Sequence, residues 1–98
     1  INKKVSCICI SNRPHLFEEI VEKFESQTYE NKELILLMEA NEEQFNLMKE
    51  KVKNKQNISL NQAFNDEILG DLFNKGVDIS KGDYIAKWLA AVELDDEV

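Results

Sequence analysis

The ten residues Val5-Ser6-Cys7-Ile8-Cys9-Ile10-Ser11-Asn12-Arg13-Pro14 decide how this chain folds. The first six carry no charge, so both faces of the strand they predict can be buried, as in a parallel sheet covered on both sides. Ser11 and Asn12 are helix N-cap types, and Pro14 suits a first helical position. Ligands of open α/β sheets bind beyond such a strand end. We therefore expect Ser11, Asn12 and Arg13 to line a crevice there.

The rest of the chain alternates helical and strand patterns. After the strand Val5–Ile10 the patterns predict, in order, a helix over residues 14–26, a strand over Glu33–Met38, a helix capped by Asn41 and Gln44, a strand over Asn57–Asn61, a helix containing residues 68–77, and a strand over Asp83–Trp88. Crossovers between parallel strands are right-handed. The order β-α-β-α-β-α-β therefore predicts a three-layer α/β sandwich with a mostly parallel sheet. We expect the strand order 3-2-1-4, with Val5–Ile10 and Glu33–Met38 adjacent and central, and the switch point between strands one and four.

The third predicted helix carries an apolar stripe that we expect to be buried. Its members are Ile68, Leu69, Leu72, Phe73 and Val77. Gly70 and Gly76 interrupt the stripe, and each glycine costs up to about 1 kcal/mol relative to Ala inside a helix. This cost indicates a packing or ligand reason for the glycines, or a helix that ends at Gly76.

Size, charge and cysteine content exclude several classes of protein. The chain has 98 residues and is 43% hydrophobic, which predicts one small domain. Its net charge of −7 disfavours nucleic acid and anionic membrane surfaces as partners. No apolar run approaches the ~20 residues of a membrane span, and no signal peptide is visible. Cys7 and Cys9 project from the same face of one strand, a poor geometry for a disulfide. We expect two buried free thiols, a reducing compartment and a cytoplasmic protein.

Three short motifs follow one another over residues 4–88, and their order is characteristic of a known family. They are Val5 to Pro14, then Gln27-Thr28-Tyr29-Glu30-Asn31-Lys32-Glu33-Leu34-Ile35, and finally Leu69-Gly70 with Asn74-Lys75-Gly76 followed by Lys81-Gly82-Asp83-Tyr84-Ile85. Together they resemble the N-terminal, nucleotide-binding half of family 2 glycosyltransferases, the inverting nucleotide-sugar enzymes of the Rossmann-like GT-A fold. The resemblance implies a UDP-type nucleotide sugar as partner.

The resemblance also implies roles for particular positions. The residues that would bind the nucleotide are Ser11, Asn12, Arg13, Pro14, Glu39, Asn74 and Gly76. The base would lie against the loop after the first strand, and Glu39 stands where the family usually has an Asp that contacts the base. Purely structural roles stay open, because Asn12 and Pro14 also suit a helix start and Glu39 suits an exposed strand end.

The family's metal motif is replaced in this chain. After Tyr84-Ile85 the family reaches Asp-x-Asp, which holds Mg²⁺ or Mn²⁺ against the diphosphate. Here Leu89-Ala90-Ala91-Val92 follow, and acids return later, at Asp95 and Asp96 among others. We weigh Asp95 and Asp96 as a displaced metal pair against a solvated acidic segment. The family's acceptor-binding half and general base also lie beyond these residues, so we assign no catalytic residue and leave open whether the chain is an enzyme.

Two main hypotheses follow, and a third, a phosphate-binding flavodoxin-like domain, is weaker because no Gly-rich phosphate loop follows any strand. The first is the nucleotide-sugar-binding half of a glycosyltransferase, with little or no transferase activity in this chain alone. The second is a non-catalytic α/β interaction domain that associates with a partner or with a second copy through the apolar segment Trp88–Val92 and Leu94.

Overall fold

Four strands and three α-helices alternate along residues 3–88, the part of the chain that the computed structural model describes. In chain order they are β1 (Val5–Ser11), α1 (Phe17–Ser26), β2 (Lys32–Glu39), α2 (Glu42–Val52), β3 (Ile58–Ala63), α3 (Leu69–Ile79) and β4 (Tyr84–Lys87). A short 3-10 turn over Pro14–Leu16 precedes α1. Within residues 3–88, no helix has the length and apolar character needed to cross a bilayer.

The four strands form one all-parallel sheet in the order β3-β2-β1-β4. Val5 to Ser11 of β1 pair with Lys32 to Met38 of β2, and both strands are buried over nearly their whole length. The predicted fold class, strand order and pair of central strands are confirmed. β4 pairs with β1 over only four residues, from Val5 opposite Tyr84 to Ile8 opposite Lys87.

The helices cover both faces of the sheet and make three layers. Helices α1 and α2 pack on the face that carries Cys7 and Cys9, and α3 packs on the face that carries Ile8 and Ile10. The crossover from β3 to β4 runs across the sheet in the opposite direction to the first two crossovers. Because crossovers between parallel strands are right-handed, this reversal places α3 on the opposite face from α1 and α2. Cys7 and Cys9 are buried and form no disulfide, and burial raises the pKa of the Cys7 thiol.

A polar cluster ties the segment before β4 to the two central strands. We call Ser6, Glu33, Lys81 and Gly82 the β4 anchor. The Ser6 hydroxyl donates to a Glu33 carboxylate oxygen at 2.6 Å and accepts the Gly82 N–H at 2.8 Å, while the Lys81 N–H donates to the same Glu33 oxygen at 2.6 Å. Asp83 extends the cluster, since its N–H donates to the Lys4 carbonyl. β4 buries little apolar surface of its own, so these hydrogen bonds hold it in place.

The start of the first helix differs from the prediction. A 3-10 turn over Pro14–Leu16 replaces the first helical turn, and Arg13 is its N-cap residue without a capping side chain. The Ser11 hydroxyl accepts the Arg13 N–H at 3.1 Å and so closes the loop after β1. Asn12 is therefore not the helix cap, which leaves its exposed side chain next to the crevice.

The buried stripe predicted for α3 was wrong at three positions. Ile68, Leu69 and Val77 are 65%, 50% and 37% exposed, and the helix instead contacts the sheet through Leu72, Phe73, Gly76 and Ile79. Gly76 is the reason, because a Cβ at this position would lie 2.7 Å from Cγ2 of Ile8. The helix approaches the sheet so closely that a position without a side chain forms the contact. Gly76 therefore lies inside α3 rather than at its end.

Candidate functional site

Three neighbouring strands end at the same edge of the sheet, and a cleft lies beyond them. β1, β2 and β3 end at Ser11, Glu39 and Ala63, with Glu39 opposite Ala63 in the register. The cleft has a volume of about 370 Å³, and its walls are Asn12, Pro14, Glu39, Ala40, Asn41, Gln44, Ala63, Phe64 and Asn65. This is the edge at which open parallel sheets bind ligands.

The floor between β2 and α2 is held in one conformation by a capping box. The Gln44 N–H donates to Oδ1 of Asn41 at 2.8 Å, and the Asn41 N–H donates to Oε1 of Gln44 at 3.1 Å. The predicted Asn41 and Gln44 cap is thus confirmed. Gln62 of β3 adds a hydrogen bond from its side-chain N–H to the Ala40 carbonyl at 3.1 Å. Ala40 and Asn41, which follow Glu39, are therefore hydrogen-bonded to β3 and to the start of α2, respectively.

The sequence-predicted nucleotide residues separate into two groups in space. Asn12, Pro14 and Glu39 line the cleft together, although they come from different strand ends. Ser11 is buried beneath the loop, and Arg13 lies exposed between two cleft residues. Asn74 and Gly76 lie on α3 and are not among the cleft residues, and Gly76 packs against Ile8 and Leu37.

The chemistry of the cleft is polar and mostly neutral. Its lining contains the amides of Asn12, Asn41, Gln44 and Asn65, a single carboxylate at Glu39, the ring of Phe64, and no Lys or Arg. Amide and carboxylate groups match the donors and acceptors of a heterocycle or a sugar. A phosphate group would require a cation from outside this lining, and Arg13 is the nearest one along the chain.

Sequence reasoning missed Phe64 and Asn65. They lie in the mostly polar stretch that follows the predicted strand Asn57–Asn61, where the only signal was a lone large aromatic residue. The predicted metal residues Asp95 and Asp96 lie outside the described residues. Within residues 3–88 no group of three or more His, Cys, Asp or Glu side chains could hold a metal ion.

A second, smaller groove shares two walls with the cleft. It has a volume of about 290 Å³ and lies between the start of α1 and α2, where Pro14 and Gln44 separate it from the cleft. Lys51 crosses the groove and donates to the Glu18 carboxylate at 2.5 Å. This hydrogen bond lowers the pKa of Glu18. Glu18 and Lys51 pair with each other although both side chains are exposed, so the groove is part apolar and part charged.

No protein-family model matches this chain, and no curated protein matches it significantly.

Proposed function

We propose that this chain binds the nucleoside part of a UDP-type nucleotide sugar in the cleft, as the N-terminal half of a family 2 glycosyltransferase would. The observation that carries the proposal is that Asn12 and Glu39 line one cleft at the carboxyl ends of parallel strands. The sequence resemblance assigns both residues to the base, and the fold brings them together.

The lining determines how the donor would lie. An amide at Asn12 and a carboxylate at Glu39 suit the hydrogen-bonding edge of a uracil ring and the hydroxyls of a ribose. The diphosphate would lie toward Arg13, whose charge the lining itself lacks. A Mg²⁺ or Mn²⁺ ion at that diphosphate would need Asp95 and Asp96 as its ligands, and the activity assay below tests that pair. Two buried cysteines without a disulfide fit the reducing conditions of the cytoplasm, where we propose that the protein resides.

Calorimetric titration of UDP, with and without Mn²⁺, tests the proposal. We expect Asn12→Ala and Glu39→Ala each to weaken UDP binding several-fold without changing Tm, because neither side chain supports an element of the fold. Asn46→Ala and Glu22→Ala remove matched exposed side chains from the helices and should leave the affinity unchanged. Equal UDP affinity in the wild type and in the Asn12→Ala/Glu39→Ala variant would remove the site.

The proposal includes little or no transferase activity in this chain alone. A UDP-release assay with several UDP-sugars and Mn²⁺ should show no turnover above the uncatalysed rate. Turnover that disappears in the Asp95→Asn/Asp96→Asn variant would overturn this part of the proposal, and it would restore those two acids as the metal site.

A second candidate function is an interaction domain without catalysis. It is favoured by the edge strand β4, on which Tyr84 and Ile85 are 57% and 41% exposed. Sedimentation velocity of the wild type and of a Tyr84→Lys/Ile85→Lys variant tests it. A concentration-dependent dimer that only the wild type forms would favour self-association. A monomer at all concentrations would remove the homo-oligomer.

A further inference from the structure

Phe64 is a large aromatic side chain that the fold leaves 54% exposed at the wall of the cleft. It directly follows Ala63, the residue that pairs with Glu39 across β2 and β3. Phe64 and Glu39 both line the cleft. An exposed apolar side chain alone is ordinary, so its meaning depends on how it is held and on what it faces.

The backbone of Phe64 is fixed by hydrogen bonds at both its amide and its carbonyl. Its N–H donates to Oε1 of Glu67 at 2.7 Å, and its carbonyl accepts the Glu67 N–H at 3.0 Å. The other carboxylate oxygen of Glu67 lies 3.7 Å from Nζ of Lys75 on α3. The Glu67 carboxylate thus closes the turn over residues 64–67 and connects it to α3 through Lys75. A rigid backbone that presents an exposed ring loses little further entropy when a ligand binds.

The groups around the ring define the ligand it fits. Asn12, Glu39 and Asn65 provide hydrogen-bonding groups along the same cleft. A flat aromatic face with polar groups at its border matches a planar heterocycle, which stacks through its face and hydrogen bonds through its edge.

We infer that Phe64 is the stacking platform for the pyrimidine base of the bound nucleotide, held in place by Glu67. This inference rests on the proposed function and adds the residue that selects a planar base. Phe64 touches the ligand, and Glu67 is a positioning residue that acts through the Phe64 backbone.

Two ligands that differ only in ring planarity test the inference. UMP and 5,6-dihydro-UMP share the N3–H, both carbonyls, the ribose and the phosphate, but the reduced ring is puckered and not aromatic. We expect the wild type to bind UMP about tenfold more tightly than dihydro-UMP. Phe64→Leu should weaken UMP binding about tenfold, leave dihydro-UMP within about twofold, and so abolish the preference.

Ring-current shifts provide a readout that a purely structural role would not produce. The H5 and H6 protons of UMP should move upfield in NMR spectra with the wild type and with Phe64→Tyr, and should not move with Phe64→Leu. Glu67→Gln keeps the Oε1 acceptor and should retain the planar preference, whereas Glu67→Ala should reduce it. Tyr84→Leu removes an aromatic ring of similar exposure from β4 and serves as the control.

The outcomes separate the inference from the proposed function. If the wild type binds UMP and the Asn12 and Glu39 variants weaken it, while Phe64→Leu keeps the planar preference, the stacking role of Phe64 is overturned and the cleft assignment stands. If the wild type binds neither UMP nor UDP, the proposed function fails and the stacking role fails with it. Loss of the planar preference in Phe64→Leu, with Tyr84→Leu unchanged, supports the inference.

Discussion

The Ser6 hydroxyl donates a 2.6 Å hydrogen bond to the Glu33 carboxylate between the two central strands, and both side chains are buried. The same hydroxyl accepts the Gly82 N–H, and the carboxylate also accepts the Lys81 N–H. A buried charged acceptor with two donors is a stabilised arrangement, whereas removal of a partner leaves a desolvated group without its bond. The pair therefore connects the last strand to the centre of the sheet.

Ser6→Ala should destabilise the domain by about 1–3 kcal/mol, because the variant leaves the Gly82 N–H and the Glu33 carboxylate each without the Ser6 hydroxyl. Urea unfolding followed by circular dichroism measures the change. Ser26→Ala is the matched control, since that exposed hydroxyl bonds only its own helix at the Lys23 carbonyl; it should cost no more than about 0.5 kcal/mol. Equal stability of the two variants would contradict the role of the β4 anchor.

Gly82→Ala should be more damaging than Ser6→Ala. A Cβ at position 82 would lie 2.4 Å from Oγ of Ser6 and 2.8 Å from the Lys4 carbonyl oxygen. The backbone contact cannot be relieved by a side-chain rotation, so we expect a loss of about 3 kcal/mol or more. Gly70→Ala provides the control, because a Cβ there meets no atom within 4 Å and the helix gains up to about 1 kcal/mol. A stable Gly82→Ala variant would show that the approach of this segment to β1 is not needed.

Gly76→Ala should lower stability without a specific effect on the nucleotide. The new Cβ would lie 2.7 Å from Cγ2 of Ile8 and 3.3 Å from Cδ1 of Leu37, which we expect to cost about 1–3 kcal/mol. Its combination with Ile8→Ala should cost less than the sum of the two single changes, because the smaller side chain vacates the contact. UDP affinity, measured on folded protein, should stay unchanged. A selective loss of UDP affinity would instead return Gly76 to the binding site.

Cys7 should make stability fall at alkaline pH. Burial raises the pKa of its thiol above the ordinary value of 9.0, so above that pH the unfolded chain releases the proton while the folded chain keeps it. The unfolded state then binds fewer protons, and the free energy of unfolding falls as pH rises, by up to about 1.4 kcal/mol per pH unit for one thiol. Below the ordinary pKa the thiol is neutral in both states and contributes no pH dependence.

Urea unfolding at pH 8 and pH 10.5 measures this effect for the wild type and for Cys7→Ala. The variant loses packing at both pH values, but its loss of stability between them should be smaller than that of the wild type. An identical pH dependence would show that the thiol titrates alike in both states.

Cys7→Asp places a charge beside the same buried neighbours and should prevent folding, because an unpaired buried charge costs more than the ~5–15 kcal/mol that a domain has.

The sheet could be predicted because its strands and the helices between them are recognisable from short, continuous stretches of sequence. Each central strand is a continuous apolar run, which identifies it as buried on both faces, and helical periodicity between the runs specifies parallel crossovers. The family resemblance assigned Asn12 and Glu39 to one site, and both line one cleft because the ends of adjacent parallel strands share one edge of the sheet. These inferences require no knowledge of which side chains meet across the fold.

The features that the sequence did not predict depend on contacts between residues that are far apart along the chain. Ser6 and Gly82 are far apart along the chain, and neither residue type indicates that a hydroxyl will receive that N–H. Gly76 carries no side chain, so an apolar pattern could not identify it as the contact of α3, and the face of that helix was assigned to Leu69 and Val77 instead. Phe64 is a single aromatic residue that belongs to no helical or strand pattern, and only the structure shows that it lies in the wall of the cleft.

The short pairing of β4 with β1 has a consequence for synthesis of the chain. Of the four strands, β1 is made first, and β2 can cover one of its edges soon afterwards, but the other edge waits until residues 84–87 have been added. That delay covers roughly 45 residues, on the order of seconds at the usual rate of translation. During this interval an apolar strand presents an unpaired edge, the kind of surface through which nascent chains associate wrongly. Chaperone dependence should accordingly be greatest in chains truncated just before Tyr84.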